Sequence, residues 1–204
     1  SREMLITLPP EPNGAGVLFL WHGFGDTAQN FSMAVGASSI GNAFNVITVT
    51  PAAAIDPMET EKLAEYRDLA SSFGIPMPPV WSILGDPELD LTLFEDALAC
   101  LNEQYGIDTQ RIYTMGFSQG ALWSTVLLME RAEILASALL WSGGLGSNDG
   151  MIEVVWNEYK TPARKIPVLA AAGGSTDSWP GAMALVDFQS GSELLVESLV
   201  ADGH

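Results

Sequence analysis

The stretch Arg111–Gly120, RIYTMGFSQG, constrains this chain more than any other part of its sequence. Apolar residues from Ile112 to Phe117 predict a short strand, and the small and apolar residues that follow predict a helix over Ala121–Arg131. Between them stands the pattern Gly-x-Ser-x-Gly, with Ser118 at its centre. At a strand-to-helix junction this pattern makes a turn so tight that the serine adopts strained backbone geometry. Ser118 Oγ is therefore predicted to project beyond the carboxyl end of the strand, beside the helix amino terminus.

The rest of the chain alternates between strand and helix patterns. Continuous apolar or β-branched runs are typical of parallel strands that are buried on both faces. The predicted strands are an edge strand Met4–Leu8 and then Ala15–Trp21, Asn45–Thr50, Ile112–Phe117, Ser137–Trp141 and Ile166–Ala172. The predicted helices are Asn30–Ser39, Asp90–Tyr105, Ala121–Arg131 and Gly191–Ala201, the last opened by a capping box at Ser190. This alternation predicts one α/β domain over residues 1–204, with a mostly parallel sheet and helices on both faces.

Composition excludes several classes of partner. The chain carries 25 acidic and 8 basic residues, for a formal net charge of −17. Such a surface repels phosphate backbones and anionic lipids, so neither nucleic acid nor a membrane surface is an expected partner. It suits a salty or extracellular setting. No apolar run has the length of a membrane span. The single cysteine, Cys100, lies on an apolar helical pattern and is predicted to be buried.

Polar residues follow several of the predicted strand ends. His22, Ser118 and Asp177 each lie just past one, and in parallel sheets ligands bind beyond these carboxyl ends. Acyl transfer by a serine needs a nucleophile, a base, an acid group that orients the base, and donors for the oxyanion. Ser118 is the candidate nucleophile. Asp177 is the candidate acid, with Asp149 and Asp187 as weaker competitors.

The donors for the oxyanion are predicted to be backbone N–H groups. One is that of Gln119, the residue after the nucleophile, and the other is that of Phe24, in the turn after the strand that ends at Trp21. His22 is predicted to brace this turn, and a role as the base is the alternative. Asp26 is predicted to hold the turn by side-chain to backbone hydrogen bonds.

The stretch 51–87 is a long connection rich in Pro and Ala, and long connections in compact domains are usually functional. One hypothesis makes it a cap over the site, in which Met77 and Trp81 line an apolar acyl or aromatic pocket bordered by His22. The alternative is a surface excursion packed by its own aromatic residues. No grouping of His, Cys and carboxylate residues has the spacing of metal ligands, so neither a metal nor an organic cofactor is expected.

Three motifs, HGFGD, GFSQG and GSTD in this order, resemble those of α/β-hydrolase-fold serine esterases, specifically the small carboxylesterase, phospholipase and acyl-thioesterase group. The run Asp90–Gly120 is also similar to the polyhydroxybutyrate-depolymerase and feruloyl-esterase-like branch. The resemblance covers most of the chain. It implies the α/β-hydrolase fold and hydrolysis of carboxylic esters through an acyl-enzyme. Because the acidic surface disfavours anionic substrates, neutral acyl or aromatic esters are expected, polyester-type substrates among them.

The histidines depart from the pattern of that group. The sequence contains only His22 and His204. The fold implied by the resemblance carries its base on a loop beyond one more strand, which follows the helix after the acid. Gly203 is predicted to end that helix, so His204 stands where the last strand should begin. We therefore expect the last strand and the true base to be missing from residues 1–204, and His204 as the base is the alternative.

Two other functions remain open at this stage. A non-catalytic binding protein would keep the fold and the pocket but lack the base. A peptidase or an acyltransferase would use the same fold on other substrates.

Overall fold

A six-stranded sheet organises the computed structural model, which describes residues 2–54, 68, 71, 72, 74, 78–83, 86–146, 157–179 and 186–204. The strands are β1 (Met4–Thr7), β2 (Gly16–Trp21), β3 (Val46–Pro51), β4 (Ile112–Phe117), β5 (Ser137–Trp141) and β6 (Val168–Ala171). Their order across the sheet is β1-β3-β2-β4-β5-β6. Only β1 pairs antiparallel, with β3, and the other neighbours pair in parallel. The predicted fold class and the predicted edge strand are confirmed.

Helices cover both faces of this sheet. They are α1 (Ala28–Ala34), α2 (Ala37–Phe44), α3 (Glu88–Tyr105), α4 (Gln119–Arg131) and α5 (Phe188–Ala201), and a short antiparallel hairpin of β7 (Ser178–Trp179) and β8 (Val186–Asp187) precedes α5. Successive strand residues point to opposite faces. Leu20 of β2 accordingly packs with Phe31 and Ala37 of α1 and α2, whereas Trp21 belongs to the larger core that includes residues of α3, α4 and α5.

The predicted helix Asn30–Ser39 is two helices, α1 and α2. They separate at Gly36, which has the left-handed φ of +70° that most side chains avoid. Helix α1 begins earlier than predicted because the Thr27 side chain caps it, accepting a hydrogen bond from the Asn30 N–H at 3.1 Å. A short helix with its own cap is a local feature that apolar spacing does not reveal.

Helix α5 begins at Phe188, three residues before the predicted start. The cap is Asp187 and not Ser190: the Asp187 Oδ1 atom accepts from the Ser190 N–H at 3.0 Å, and Oδ2 accepts from the Ser190 hydroxyl at 2.9 Å. The predicted capping box is therefore wrong in its first residue. Both oxygens of Asp187 are engaged in capping α5, and Asp149 lies outside the described residues.

The cysteine prediction is also wrong, since Cys100 is exposed. Helix α3 buries one stripe of residues three or four positions apart, made of Leu91, Phe94, Ala97 and Leu101. Cys100 lies one position from Leu101 and hence about 100° around the helix, because an α-helix has about 3.6 residues per turn.

Three fully buried tryptophans form the centre of the core below the carboxyl ends of the strands. The Trp21 ring meets Trp81 edge-on at 5.1 Å between centroids and Trp123 at 5.8 Å. Trp21 Nε1 donates to the Thr114 hydroxyl at 2.9 Å, so the polar atom of this ring is satisfied inside the core. This packing ties β2, β4, α4 and the segment 80–83 into one rigid platform under the candidate site.

Within the part of the chain that the structure describes, no helix is both long enough and apolar enough to cross a lipid bilayer.

Candidate active site

Ser118 occupies the tight turn that the sequence predicts between β4 and α4. Its backbone angles are φ 54° and ψ −120°, a conformation that non-glycine residues rarely adopt. The two flanking glycines explain how the turn fits. A Cβ atom on Gly116 would lie 2.1 Å from the Gly120 carbonyl oxygen, and one on Gly120 would lie 2.0 Å from that of Trp21. Only glycine permits both approaches, so the sequence holds the serine in its strained position.

The amino terminus of α4 lies directly behind Ser118. The Ser118 carbonyl accepts from the N–H groups of Ala121 (2.8 Å) and Leu122 (3.0 Å), and its own N–H donates to the Trp141 carbonyl at 2.9 Å. The half-buried side chain makes no capping hydrogen bond in the described structure, so Oγ is not used by the helix. The Gln119 N–H belongs to the first turn of α4, where N–H groups lack an intrahelical acceptor and carry the positive end of the helix dipole.

The segment His22–Asp26, here called the 22–26 turn, lies against Ser118. A Cβ atom on Gly23 would be 3.4 Å from the Ser118 Cβ. The turn closes through the Asp26 N–H, which donates to the Gly23 carbonyl at 3.2 Å. Asp26 Oδ1 in turn accepts from the Thr27 N–H at 2.8 Å, the kind of bond predicted for this side chain. Phe24 stands in the middle of this turn, directly after Gly23.

His22 is buried, and both of its ring nitrogens are engaged with backbone groups. The Ala53 N–H donates to Nε2 at 3.2 Å, so Nε2 accepts and the proton of the neutral ring is on Nδ1, which donates to the Gly23 carbonyl at 2.9 Å. Burial lowers the pKa of His22, and the Gly23 bond and the Asp26 charge oppose this in part. The structure thus places His22 as a brace between β3 and the 22–26 turn.

Trp81 does not line a pocket in this structure. Its side chain is fully buried, with Nε1 donating to the His22 carbonyl at 2.9 Å and the ring 4.9 Å from the His22 ring. A ring with no accessible surface cannot contact a substrate, so the pocket prediction for Trp81 is corrected to a core position. His22 is also buried, with 3% of its surface exposed. Met77 lies outside the described residues, as does most of the predicted cap, and the cap stays a prediction.

Asp177 follows the carboxyl end of β6, as its position in the sequence predicts. Its Oδ2 accepts from the Gly173 N–H at 2.7 Å, its N–H donates to the Gly174 carbonyl at 2.8 Å, and its carbonyl accepts from the Phe188 N–H at 3.0 Å. Strands β4 and β6 are separated by β5, so the ends that carry Ser118 and Asp177 are about 10 Å apart at about 4.8 Å per strand. Both residues follow the carboxyl ends of their strands and hence lie at the same edge of the sheet.

His204 lies at the other end of the sheet. Helix α5 leaves the Asp177 end and runs back for 14 residues, about 21 Å at 1.5 Å per residue. At its far end, the Asp202 carboxylate accepts from the Tyr159 hydroxyl at 2.5 Å, and a Cβ on Gly203 would be 2.8 Å from Lys165 Nζ. Lys165 precedes β6 and so marks the amino edge of the sheet. Both ring nitrogens of His204 are buried with no hydrogen-bond partner among the described residues.

Two contacts of this region are not predicted by the sequence analysis. The brace on His22 comes from the backbone N–H of Ala53, which no sequence pattern marks. The Trp81 segment is anchored by Asp90, a fully buried carboxylate that accepts from Ser82. Asp90 did leave a signal, because it stands four positions before Phe94 and hence on the apolar face of α3. No group of three or more potential metal ligands occurs in the described part of the chain.

Comparison with protein-family models finds no match, and comparison with curated proteins finds none either. Solved structures do match. The phospholipase/carboxylesterase from Dyadobacter fermentans is 20% identical with a TM-score of 0.58, over 99% of this chain and 82% of that one. Esterase PE8 is 18% identical with a TM-score of 0.60, over 100% of this chain and 85% of that one.

An acetyl xylan esterase from Aspergillus awamori is 17% identical with a TM-score of 0.53, over 69% of this chain. The chain spans 46% of the length of that esterase. At these identities the likeness concerns the course of the backbone. Together with the parallel sheet and the strand–serine–helix turn, it shows that this chain has the α/β-hydrolase fold.

Proposed function

We propose that this chain is a serine hydrolase of carboxylic esters that works through an acyl-enzyme on Ser118. The observation that carries the proposal is the strained backbone of Ser118, at φ 54° and ψ −120°, between β4 and the amino terminus of α4. Strain of this kind costs of order 1–3 kcal/mol and persists where the surroundings enforce it, typically at functional sites. Here Gly116 and Gly120 enforce it, and the result is a serine side chain that the fold does not use.

The oxyanion donors of the proposal are the N–H groups of Gln119 and Phe24. Gln119 opens α4, whose first N–H groups and dipole favour negative charge. The 22–26 turn, which carries Phe24, comes close to Ser118 at Gly23, where an added Cβ would lie 3.4 Å from the Ser118 Cβ. Donors that are fixed before the reaction stabilise the charge that develops on the carbonyl oxygen without a cost of reorganisation. The rigid tryptophan platform and the His22 brace support this fixed geometry.

The proton of Ser118 has to pass to a base as its Oγ attacks the ester carbon, and the same base then protonates the leaving alcohol. Water hydrolyses the acyl-enzyme by the reverse sequence. In the proposal Asp177 orients the base from the end of β6. His22 has both ring nitrogens engaged, and His204 lies at the opposite edge of the sheet. The proposal therefore assigns the base to neither of these two histidines.

The proposed substrates are neutral esters, with aromatic and polyester-type esters included. The support for neutrality is the net charge of −17, which repels anionic substrates. Apolar character near the serine is supported by the Phe24 ring, which is half-buried and meets Trp179 at 5.2 Å between centroids. Trp81 is buried, so it does not support an aromatic pocket at that residue.

Covalent labelling tests the proposal. A fluorophosphonate probe reacts with serines that are activated as nucleophiles, so intact-mass and peptide analysis should locate the adduct on Ser118. The Ser118→Ala variant should not be labelled, and Ser198→Ala, at a half-buried serine of α5, should be labelled like the parent. Labelling of the Ser118→Ala variant to the parent level would remove Ser118 as the nucleophile.

A non-catalytic binding protein is the second candidate function. The observation that favours it is that the structure brings neither histidine of the sequence to Ser118 as an available base. It predicts no labelling of the parent and saturable binding of neutral esters that are recovered intact. A peptidase or acyltransferase on the same fold would be labelled at Ser118 and is separated by comparing peptide, thioester and ester substrates.

A further inference from the structure

Asp90, a residue outside the candidate site, has a buried carboxylate with an unusually complete set of partners. It lies in the first turn of α3 and is fully buried. Oδ2 accepts from both the N–H and the hydroxyl of Ser82, each at 2.6 Å, and Oδ1 is paired with the guanidinium of Arg2. A buried charge is tolerated only when it is paired and hydrogen-bonded. Asp90 therefore joins the backbone and side chain of Ser82, and the side chain of Arg2, to the start of α3.

The segment that Asp90 holds leads to the 22–26 turn. Ser82 follows Trp81, whose Nε1 donates to the His22 carbonyl at 2.9 Å. That carbonyl opens the 22–26 turn. A continuous path of hydrogen bonds and one covalent neighbour thus runs from Asp90 through Ser82 and Trp81 to the backbone of the turn. The Trp81 ring also packs on the rings of His22 and Trp21, so the path is stiffened by contacts along its length.

We propose that Asp90 is a positioning residue for the 22–26 turn, acting through Ser82 and Trp81 to hold the Phe24 N–H in place beside Ser118. This rests on the proposed function, in which that N–H is an oxyanion donor. The reason is geometric. A donor stabilises the oxyanion only if it is held at the correct distance before the charge forms. Supporting side chains that are locked by packing and hydrogen bonds provide such precision.

The opposite side of the turn is held independently. The Ala53 N–H binds the His22 ring from the end of β3, whereas the Trp81 indole binds the His22 carbonyl from the segment 80–83. Removing one support leaves the other in place. Loss of Asp90 is therefore expected to loosen the turn and not to unfold it, and this is the condition for a measurable positioning effect.

Backbone amide hydrogen exchange on the 204-residue chain gives the first test. In Asp90→Asn the charge is lost, and in Trp81→Phe the aromatic ring is kept while the N–H that binds His22 is removed. Ser82→Ala removes one of the two donors to Oδ2 and is the mild variant if Asp90→Asn folds poorly. Exchange within residues 22–26 should rise about tenfold or more in the first two variants, as for a local opening of the backbone.

The matched control is Tyr159→Phe, which removes a hydrogen bond to the Asp202 carboxylate at the other edge of the sheet. It should leave exchange at residues 22–26 unchanged. Faster exchange confined to residues 78–90 in the Asp90 and Ser82 variants would overturn the proposal, because it would show that the path stops before the turn.

Steady-state kinetics on a neutral ester that the chain hydrolyses gives the second test. Removing a whole oxyanion donor costs roughly 10²–10³-fold in kcat, so loosening one is expected to cost about tenfold in kcat with KM unchanged. Faster exchange with an unchanged kcat would overturn the positioning role. If Ser118→Ala keeps its esterase rate, the proposed function fails, and the exchange data alone still decide whether Asp90 holds the turn.

Discussion

The Nε2 atom of His22 lies 3.2 Å from the backbone nitrogen of Ala53 and accepts its hydrogen bond. This contact joins the end of β2 to the residues just after β3, two neighbouring strands of the sheet. Because the other ring nitrogen donates to the Gly23 carbonyl, the imidazole is committed to one neutral tautomer. A histidine in a motif of catalytic appearance is thus a part of the scaffold, and its protonation should disturb the turn that it braces.

Acidification should therefore lower stability through His22. Burial lowers its pKa below the ordinary value of 6.5, so the unfolded state binds the proton more readily than the folded state. The contribution of neutral His22 to the free energy of unfolding is present in full above pH 6.5. It is lost as the pH falls below that value towards the pKa of His22 in the folded state. Each unit by which the pKa is lowered corresponds to about 1.4 kcal/mol. Urea unfolding between about pH 7.5 and pH 5.5 measures this loss of stability, because that pH range lies above the one in which most carboxylates titrate.

The matched variant is His22→Gln, which cannot take up a proton. It should be less stable at neutral pH, but its unfolding free energy should change less over the same range. Parallel pH profiles for parent and variant would show that His22 is not the group responsible.

Replacing Ser118 with Ala should abolish ester hydrolysis without altering the fold. Loss of the nucleophile of a serine hydrolase typically lowers the rate by about 10⁶-fold, and the half-buried side chain is too small for its loss to disturb packing. Initial rates on a p-nitrophenyl ester measure the effect, and circular dichroism checks the fold. A variant that retains more than about a tenth of the parent rate would exclude Ser118 as the nucleophile.

A methyl group on Gly120 should destabilise the protein severely. Its Cβ would lie 2.0 Å from the Trp21 carbonyl oxygen and 2.6 Å from that of His22, and these backbone atoms cannot move aside as the end of a flexible side chain can. A loss of about 3 kcal/mol or more is expected for Gly120→Ala in chemical unfolding. Gly174→Ala is the control. It has no atom within 4 Å of the added Cβ and a φ of +96°, so it should lose only the conformational cost of about 1–2 kcal/mol. Equal losses in the two variants would contradict the steric argument.

Trp81→Ala should lower the free energy of unfolding. Truncation of a fully buried tryptophan typically costs about 3–5 kcal/mol, and here it also leaves the His22 carbonyl without its donor. Trp141→Ala, at a tryptophan whose side chain is 48% exposed, should cost about 1 kcal/mol or less. Thermal unfolding of both variants checks the comparison. A Trp81→Ala protein of parental stability with altered ester preference would restore the pocket hypothesis.

His204→Ala should leave the esterase rate of the 204-residue chain unchanged within about twofold. A base must come within about 2.6–3.2 Å of the serine hydroxyl, and His204 stands at the far end of α5 from Asp177. The rates of parent and variant are compared at saturating ester. A drop of a hundredfold or more would identify His204 as the base and require α5 to be placed differently.

Local features of the amino-acid sequence were sufficient for much of the fold. The strand Ile112–Phe117 and the strand Ser137–Trp141 have the predicted bounds, and the helix after Ser118 is present. The turn between the strand Ile112–Phe117 and this helix follows in part from residues that are close in sequence, because Gly116 admits the Gly120 carbonyl. Gly120 itself admits the carbonyl of Trp21, a residue that only the sheet brings close. Helix α3 ends at Tyr105 as predicted, with Gly106 in the left-handed conformation at its C-cap. Periodicity and turn chemistry suffice for such elements.

The roles of the polar and aromatic groups around the serine depended on contacts between distant residues. Trp81 is buried because its indole reaches the His22 carbonyl 59 positions away, and His22 is a brace because Ala53, 31 positions away, supplies a backbone donor. The sequence by itself determined that a strained serine stands between a strand and a helix. Only the tertiary structure decided that His22 and Trp81 support the turn beside it, because burial and hydrogen-bond partners are set by which segments the sheet brings together.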